Sequence, residues 1–228
     1  MQTPFPPSKR PTLTIADSDL RFPVRRIYCV GRNYADHARE MGANPDREPP
    51  FFFAKPSDAI VESGQDVRYP PQTTDLHHEV ELVMALQSGG SNIAQEKAMD
   101  CVYGFAVGID LTRRDLQTEA KKMGRAWCTS KGFDDSAVVG NITPAATCTG
   151  IETANIALSV NGDQRQQGNV NQMIWSCAEV ISCLSELFEL QPGDLIFTGT
   201  PAGVSALQRG DTLDATIEGL TPLRNTII

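Results

Sequence analysis

The chain has 228 residues, 40% of them hydrophobic, enough for one large core and short for two ordinary domains. Its formal charge of −8 and isoelectric point near 4.9 set up a field that repels phosphate. Nucleic acid and anionic membranes are therefore excluded as partners, and any anionic substrate must be drawn in locally. No apolar run approaches the ~20 residues that cross a bilayer, and MQTPFPPSKR lacks a basic start followed by an apolar signal core, so a cytoplasmic protein is expected. Six cysteines without a CxxC pair read as reduced thiols, several of them packed as small hydrophobes.

In chain order, residues 1–24, with Pro4, Pro6, Pro7 and Pro11, predict an arm too polar to pack deeply, ahead of a single domain over 25–228. IYCVG (27–31) predicts a short buried strand, and Gly31 lets the chain turn into RNYADHAREMG, whose helical spacing ends at Gly42. A proline-rich loop (44–50) precedes the strand FFFAKP, and YPPQTT (69–74) turns the chain into the strand HHEVELVMAL. Asn92 predicts the cap of a short helix through Asp100, and YGFAVGID a buried strand after it. Thr112 and Asp115 have the spacing of a capping box, which places a helix from there to about Gly124. Ile174, Cys177, Ile181, Leu184 and Phe188 share one face of a further helix, QMIWSCAEVISCLSELF. Asn161-Gly162 predicts a type I′ hairpin, and QPGD, TGTPAG and QRGD punctuate an all-β C-terminal stretch. With no strand–helix rhythm and no glycine fingerprint after a strand, the fold class is α+β, mostly β.

The chemistry concentrates in HHEVEL. Side chains alternate along a strand, so Glu79 and Glu81 project from one side, with the apolar Val83 and Ala85 continuing the same face. Two carboxylates beside an oily stretch need a cation, and Asp110, at the mouth of another strand, completes an all-oxygen set suited to Mg²⁺, Mn²⁺ or Ca²⁺. His37 and Glu40 lie three apart, so in a helix the carboxylate orients the imidazole to take a proton from water, on a lid flanked by Gly and Pro. Arg114 and Gln117 fall one turn apart next to Asp110 and offer a guanidinium fork and an amide to a carboxylate or oxyanion. Lys131 in TSKGFD reaches inward as a second cation, whereas Arg113, Lys121 and Lys122 read as solvated charges. The TGTP loop, with Thr200, can grip a substrate carboxylate through its N–H groups and hydroxyl. Two other classes fit parts of the pattern. One is a non-catalytic metal-binding β module, the other a thiol hydrolase built on Cys29 and His37.

Together and in this order, CVGRNYADHAREMG, PPFFFAKPSDAIV, LHHEVELV, GIDLTRRDLQ, TSKGFD, VNGDQRQQG, MIWS and GDLIFTGTPAGV resemble the fumarylacetoacetate hydrolase family, in its compact acylpyruvate hydrolase branch. The resemblance implies a mixed β-sandwich roll, a homodimer, and one catalytic domain over 25–228 holding Mg²⁺ or Mn²⁺ through Glu79, Glu81 and Asp110. It also implies that His37 and Glu40 activate water, that Arg114, Gln117 and Lys131 contact substrate and oxyanion, and that Thr200 contacts a substrate carboxylate. The FxKP-type Lys55 is left without a role. The activity implied is hydrolysis of the C–C bond of a 3-acylpyruvate, a small anionic 2-oxo acid, with fumarylpyruvate foremost, as in aromatic (gentisate) catabolism. Oxaloacetate decarboxylation, or isomerisation and decarboxylation of 2-hydroxyhepta-2,4-diene-1,7-dioate, is the alternative. The short N-terminal arm lacks the domain that supplies a further acidic ligand in the large members, and a water is expected in its place.

Overall fold

A computed structural model describes residues 3–42 and 48–228; the loop expected at 44–50 lies partly outside them. The backbone of the fold is a mixed eight-stranded sheet. Seven strands run in the order Phe51–Lys55, Ile27–Gly31, Leu195–Phe197, Val80–Leu86, Val102–Asp110, Ala137–Val139 and Ile60–Glu62, and Thr143–Pro144 adds a short pairing to Val102–Asp110. A second sheet orders Asp163–Asn169, Asn155–Val160, Thr212–Ile217, Leu223–Ile227 and Asp66–Val67. The result is mostly β and curled, as the fold class required.

Side-chain alternation along Val80–Leu86 decides which core each face joins. Val80, Leu82, Met84 and Leu86 face a large core shared with Ile156, Leu158, Leu213 and Ala215 of the five-stranded sheet and with Ile181 and Leu184 of the helix Cys177–Leu187. That helix starts at Ser176, whose hydroxyl accepts from the Glu179 N–H while the Glu179 carboxylate accepts from the Ser176 N–H. Val83 and Ala85 face the opposite way, into a smaller core with Ala106, Ile27, Cys29, Leu195 and Phe197. The two strands approach closely there: a Cβ on Gly108, opposite Glu81, would sit 2.5 Å from Val83 Cγ2. Glu79 and Glu81 therefore extend an apolar face to its open end, and Asp110 does the same on the next strand after Ala106 and Gly108.

Four expectations are corrected. The first twenty or so residues do pack: Thr12–Thr14 pairs with Arg21–Pro23, and Leu13, Ile15, Phe22 and Val24 are buried in the smaller core. These four apolar residues alternate in two pairs and point inward, while Phe5 and Leu20 stay exposed, a pattern that the mean polarity of the segment conceals. Asn92 caps nothing; it takes a left-handed turn (φ 52°), and the short helix is Gln95–Ala98. The Thr112–Asp115 box does not form. Thr112 pairs in a strand with His77, the helix is Arg114–Lys122, and Asp115 accepts from Thr73 Oγ1, the Thr74 N–H and the Leu116 N–H instead. The Asn161-Gly162 hairpin forms with both residues at positive φ, whereas the helix expected over QMIWSCAEVISCLSELF is shorter, Cys177–Leu187, so that Ile174 lies ahead of it and Phe188, its C-cap, is exposed.

Candidate active site

The open end of the acidic face is the floor of a pocket. Glu79, Glu81 and Asp110 are buried, and each brings a carboxylate oxygen within 4.8 Å of the other two. Cations crowd two of them. Lys131 Nζ donates to Glu79 Oε2 and to Asp110 Oδ2, both at 2.7 Å, and Arg114 Nη2 donates to Glu79 Oε1 at 2.5 Å. Lys55 Nζ lies 2.8 Å from Asp110 Oδ1, outside hydrogen-bonding alignment, and donates to the carbonyls of Leu111 and Lys131. Burial opposes the charge of Glu79, yet Lys131 and Arg114 outweigh it and hold this carboxyl well below its ordinary value. Lys131 is likewise raised, because Asp110 and Glu79 overcome the burial that would lower it.

Glu81 is the exception. Its hydrogen-bond donor is the Gly199 N–H, at 2.7 Å, and no lysine or arginine among the described residues pairs with it. Burial, then the charges of Asp110 and Glu79, push it well above the usual carboxylate range. An all-oxygen cluster with one acid lacking a counter-charge, and an Asp110 oxygen without an aligned donor, suits a hard divalent cation, and the triad can hold one.

Around the floor, the helix Arg114–Lys122 presents Arg114, Gln117 and Lys121 on one face, and Arg114 Nη1 donates to Gln117 Oε1 at 2.6 Å. His37, on the helix Ala35–Glu40, lines the pocket together with Glu79, Glu81, Lys131 and Thr200. Its Nδ1 lies 3.1 Å from Glu40 Oε2. The His37 hydrogen bond first, and then the Gly203 N–H at 3.0 Å, keep Glu40 below its ordinary value against partial burial. An ionised Glu40 assigns the proton to Nδ1 and leaves Nε2 as the basic nitrogen. The bond to Gly203 also ties this helix to the loop that carries Thr200.

Thr200 Oγ1 accepts from Gln166 Nε2 at 2.7 Å, which leaves the hydroxyl proton free to donate. Gln166 Oε1 accepts from the Val80 N–H and from His78 Nδ1, and His78 Nε2 pairs with Ser205. Burial lowers His78 to about 4, so it is a neutral strut. The loop does less than its sequence promised, because the Gly199 N–H is already engaged by Glu81. Gly199 itself is required: φ is +100°, and a Cβ would sit 2.6 Å from Asn33 Cβ.

All nine expected residues meet in or beside one pocket. Lys55, singled out in the sequence without a role, supplies a third cation to the acids from the end of the FFFAK strand, in register with Ile27. Others were missed. Asn33 joins the two halves of the site, donating to the carbonyls of Thr198 (2.7 Å) and Trp175 (2.9 Å) and accepting from the Trp175 N–H (2.7 Å). Gln166 sits in the polar run QRQQ, where nothing marks it as buried. Lys121, read as solvated, is half-buried in the pocket wall and packs over Trp127. Cys29 is fully buried and its thiol is held well above its ordinary value by burial, which removes the thiol-hydrolase alternative.

The chain is similar to known proteins in both sequence and fold. Residues 26–228 match the family described as fumarylacetoacetate (FAA) hydrolase C-terminal. A fumarylpyruvate hydrolase of a Ralstonia species is 42% identical over 189 residues, covering 82% of this chain and 98% of the relative. An oxaloacetate tautomerase of Escherichia coli is 40% identical over 201 residues, covering 88% and 91%. The crystal structure of fumarylpyruvate hydrolase from Pseudomonas aeruginosa in complex with Mn²⁺ and pyruvate superposes with a TM-score of 0.97 at 50% identity, over 100% of this chain and 99% of that one. The chain belongs to the fumarylacetoacetate hydrolase family, whose enzymes include hydrolases of carbon–carbon bonds.

Proposed function

We propose that the protein hydrolyses the C–C bond of a 3-acylpyruvate, fumarylpyruvate first among them, to fumarate and pyruvate. The observation that carries this reading is the convergence of a water-activating pair, His37 and Glu40, on the same pocket as the acidic triad and the Thr200 hydroxyl. Glu79, Glu81 and Asp110 are the ligands for Mg²⁺ or Mn²⁺, which when bound supplies Lewis-acid polarisation of the 2-oxo acid and stabilisation of enolate charge. The complex of the Pseudomonas relative with Mn²⁺ and pyruvate supports that assignment.

The residues of the chain do the rest. Thr200 donates a hydrogen bond from its hydroxyl to the substrate carboxylate. His37 Nε2 takes a proton from water as the oxygen attacks the acyl carbonyl, and Glu40 steadies the imidazolium that forms. Arg114, Gln117 and Lys131 face the developing oxyanion, a set of preorganised donors worth several kcal/mol. The bond from the acyl carbon to the methylene then breaks. Its electron pair leaves on the pyruvate enolate, which recovers the proton from His37, while the acyl carbon keeps the water oxygen as a new carboxylate of fumarate.

The domain over 25–228 carries this whole apparatus and works in the cytoplasm, in the breakdown of aromatic compounds; no described helix is long and apolar enough to cross a membrane. A homodimer is supported by the edge strand Phe51–Lys55, whose half-buried Phe52 shares one groove with the exposed Leu187 and another with the exposed Phe188. Keto–enol interconversion of oxaloacetate is the second reading, favoured by the Escherichia coli relative. Incubating the purified protein with Mg²⁺ or Mn²⁺ and fumarylpyruvate, acetylpyruvate or oxaloacetate, and following ultraviolet absorbance and products, separates the readings. Formation of fumarate and pyruvate supports hydrolysis. Tautomerisation of oxaloacetate with no acylpyruvate cleaved would replace it.

A further inference from the structure

Arg32 and Lys121 are basic residues of the pocket wall that serve neither the acids nor the oxyanion. Lys55, Lys131 and Arg114 each contact a carboxylate of the triad, whereas no carboxylate among the described residues lies within ion-pair distance of Arg32 or Lys121. Lys121 stands one further turn along the helix face that carries Arg114 and Gln117, half-buried, with its ammonium 5.4 Å from the centre of the Trp127 ring. Arg32 is exposed and holds a left-handed backbone (φ 60°), an uncommon state for a side chain of its size. Like charges gathered without counter-charge are unfavourable, and burial together with Arg114 and Arg32 lowers Lys121 to about 8. In a chain of net charge −8, such a concentration of positive charge at one pocket is a local anion trap.

We propose that Arg32 and Lys121 form a second carboxylate subsite, which binds the far end of the acyl tail and selects acylpyruvates whose tail is itself a carboxylic acid. The inference rests on the acylpyruvate reading and deepens it. The 2-oxo acid end of the substrate is taken by the triad and Thr200. A dianionic substrate such as fumarylpyruvate has a second carboxylate to place, and the aromatic wall of Phe53 and Trp127 lies along the same pocket as a surface for the flat unsaturated tail. A neutral tail such as that of acetylpyruvate leaves both cations without a partner.

The test measures kcat/KM for fumarylpyruvate and for acetylpyruvate in the Mn²⁺-loaded wild type and in Lys121→Met, Lys121→Arg and Arg32→Gln, together with calorimetric titration of fumarate into the same proteins. The expected result is that the preference for fumarylpyruvate falls about tenfold in Lys121→Met, mainly through KM, as befits a partly exposed charge-assisted hydrogen bond. Arg32→Gln should shift it in the same direction, Lys121→Arg should keep most of it, and fumarate should bind more weakly to Lys121→Met. Equal loss on both substrates, or no change in preference with fumarate binding intact, overturns the subsite. A wild type that cleaves neither acylpyruvate but binds fumarate through Lys121 would leave the subsite standing and remove the hydrolase reading. If fumarate binding is also independent of Lys121, both fall.

Discussion

Replacing Asn33 by alanine removes the clamp between the turn that leads into the His37 helix and the loop that carries Gly199 and Thr200. Three hydrogen bonds go at once, one buried, to the Thr198 carbonyl, and two partly buried, to the Trp175 carbonyl and from the Trp175 N–H. At roughly 1 kcal/mol each the loss is about 3 kcal/mol, a substantial part of the 5–15 kcal/mol that holds a domain together. An unfolding entropy of about 2.1 cal/mol/K per residue comes to roughly 480 cal/mol/K for the whole chain, so the expected fall in Tm is about 6 °C. Differential scanning calorimetry reads this directly. Activity should fall as well, because Gly199 packs against Asn33 and gives its N–H to Glu81. A Tm within about 1 °C of wild type and unaltered turnover would show that the two halves of the site are positioned by something other than this side chain.

Glu81→Gln removes the acid that lacks a cationic partner; calorimetry should find Mn²⁺ bound at least tenfold more weakly, while the metal-free variant is no less stable than wild type. Wild-type Mn²⁺ affinity in that variant would take Glu81 out of the ligand set. His37→Ala should lower kcat by about 10²- to 10⁴-fold with Mn²⁺ binding intact, and equal activity would remove the base assignment. For fumarylpyruvate, kcat/KM should decline as pH rises through about 8. Lys121 is an ammonium below that value and loses the charge above it, so a bound tail carboxylate loses its partner. The Lys121→Arg protein stays charged and should lack this limb, and a limb that persists there belongs to another group.

Much of the site was legible because its residues break local patterns. Glu79 and Glu81 interrupt an apolar face that Val83 and Ala85 continue, and alternation alone puts both acids on one side. Asp110 ends a strand otherwise made of small and apolar residues, and His37 and Glu40 keep helical spacing. Arg32, Lys121, Asn33 and Gln166 stayed hidden for a different reason. Each is an ordinary polar residue in a polar stretch, and its role comes from what the fold brings to it: Trp175 and Thr198 to Asn33, Val80, His78 and Thr200 to Gln166. The N-terminal hairpin misled through average polarity, since the few apolar side chains that decide its packing are outnumbered by the exposed ones between them. The false capping box failed because Thr112 found a partner strand, which spacing cannot reveal.

The most direct measurement of the central claim is turnover of fumarylpyruvate by the Mn²⁺-loaded protein in water enriched in ¹⁸O, with mass spectrometry of both products. Water attack on the acyl carbonyl under His37 delivers one labelled oxygen to the new carboxylate of fumarate and does not itself label the pyruvate carboxylate. Recovery of unlabelled fumarate, or exchange of the methylene protons with solvent and no cleavage, would contradict hydrolysis and leave proton transfer as the chemistry of this pocket.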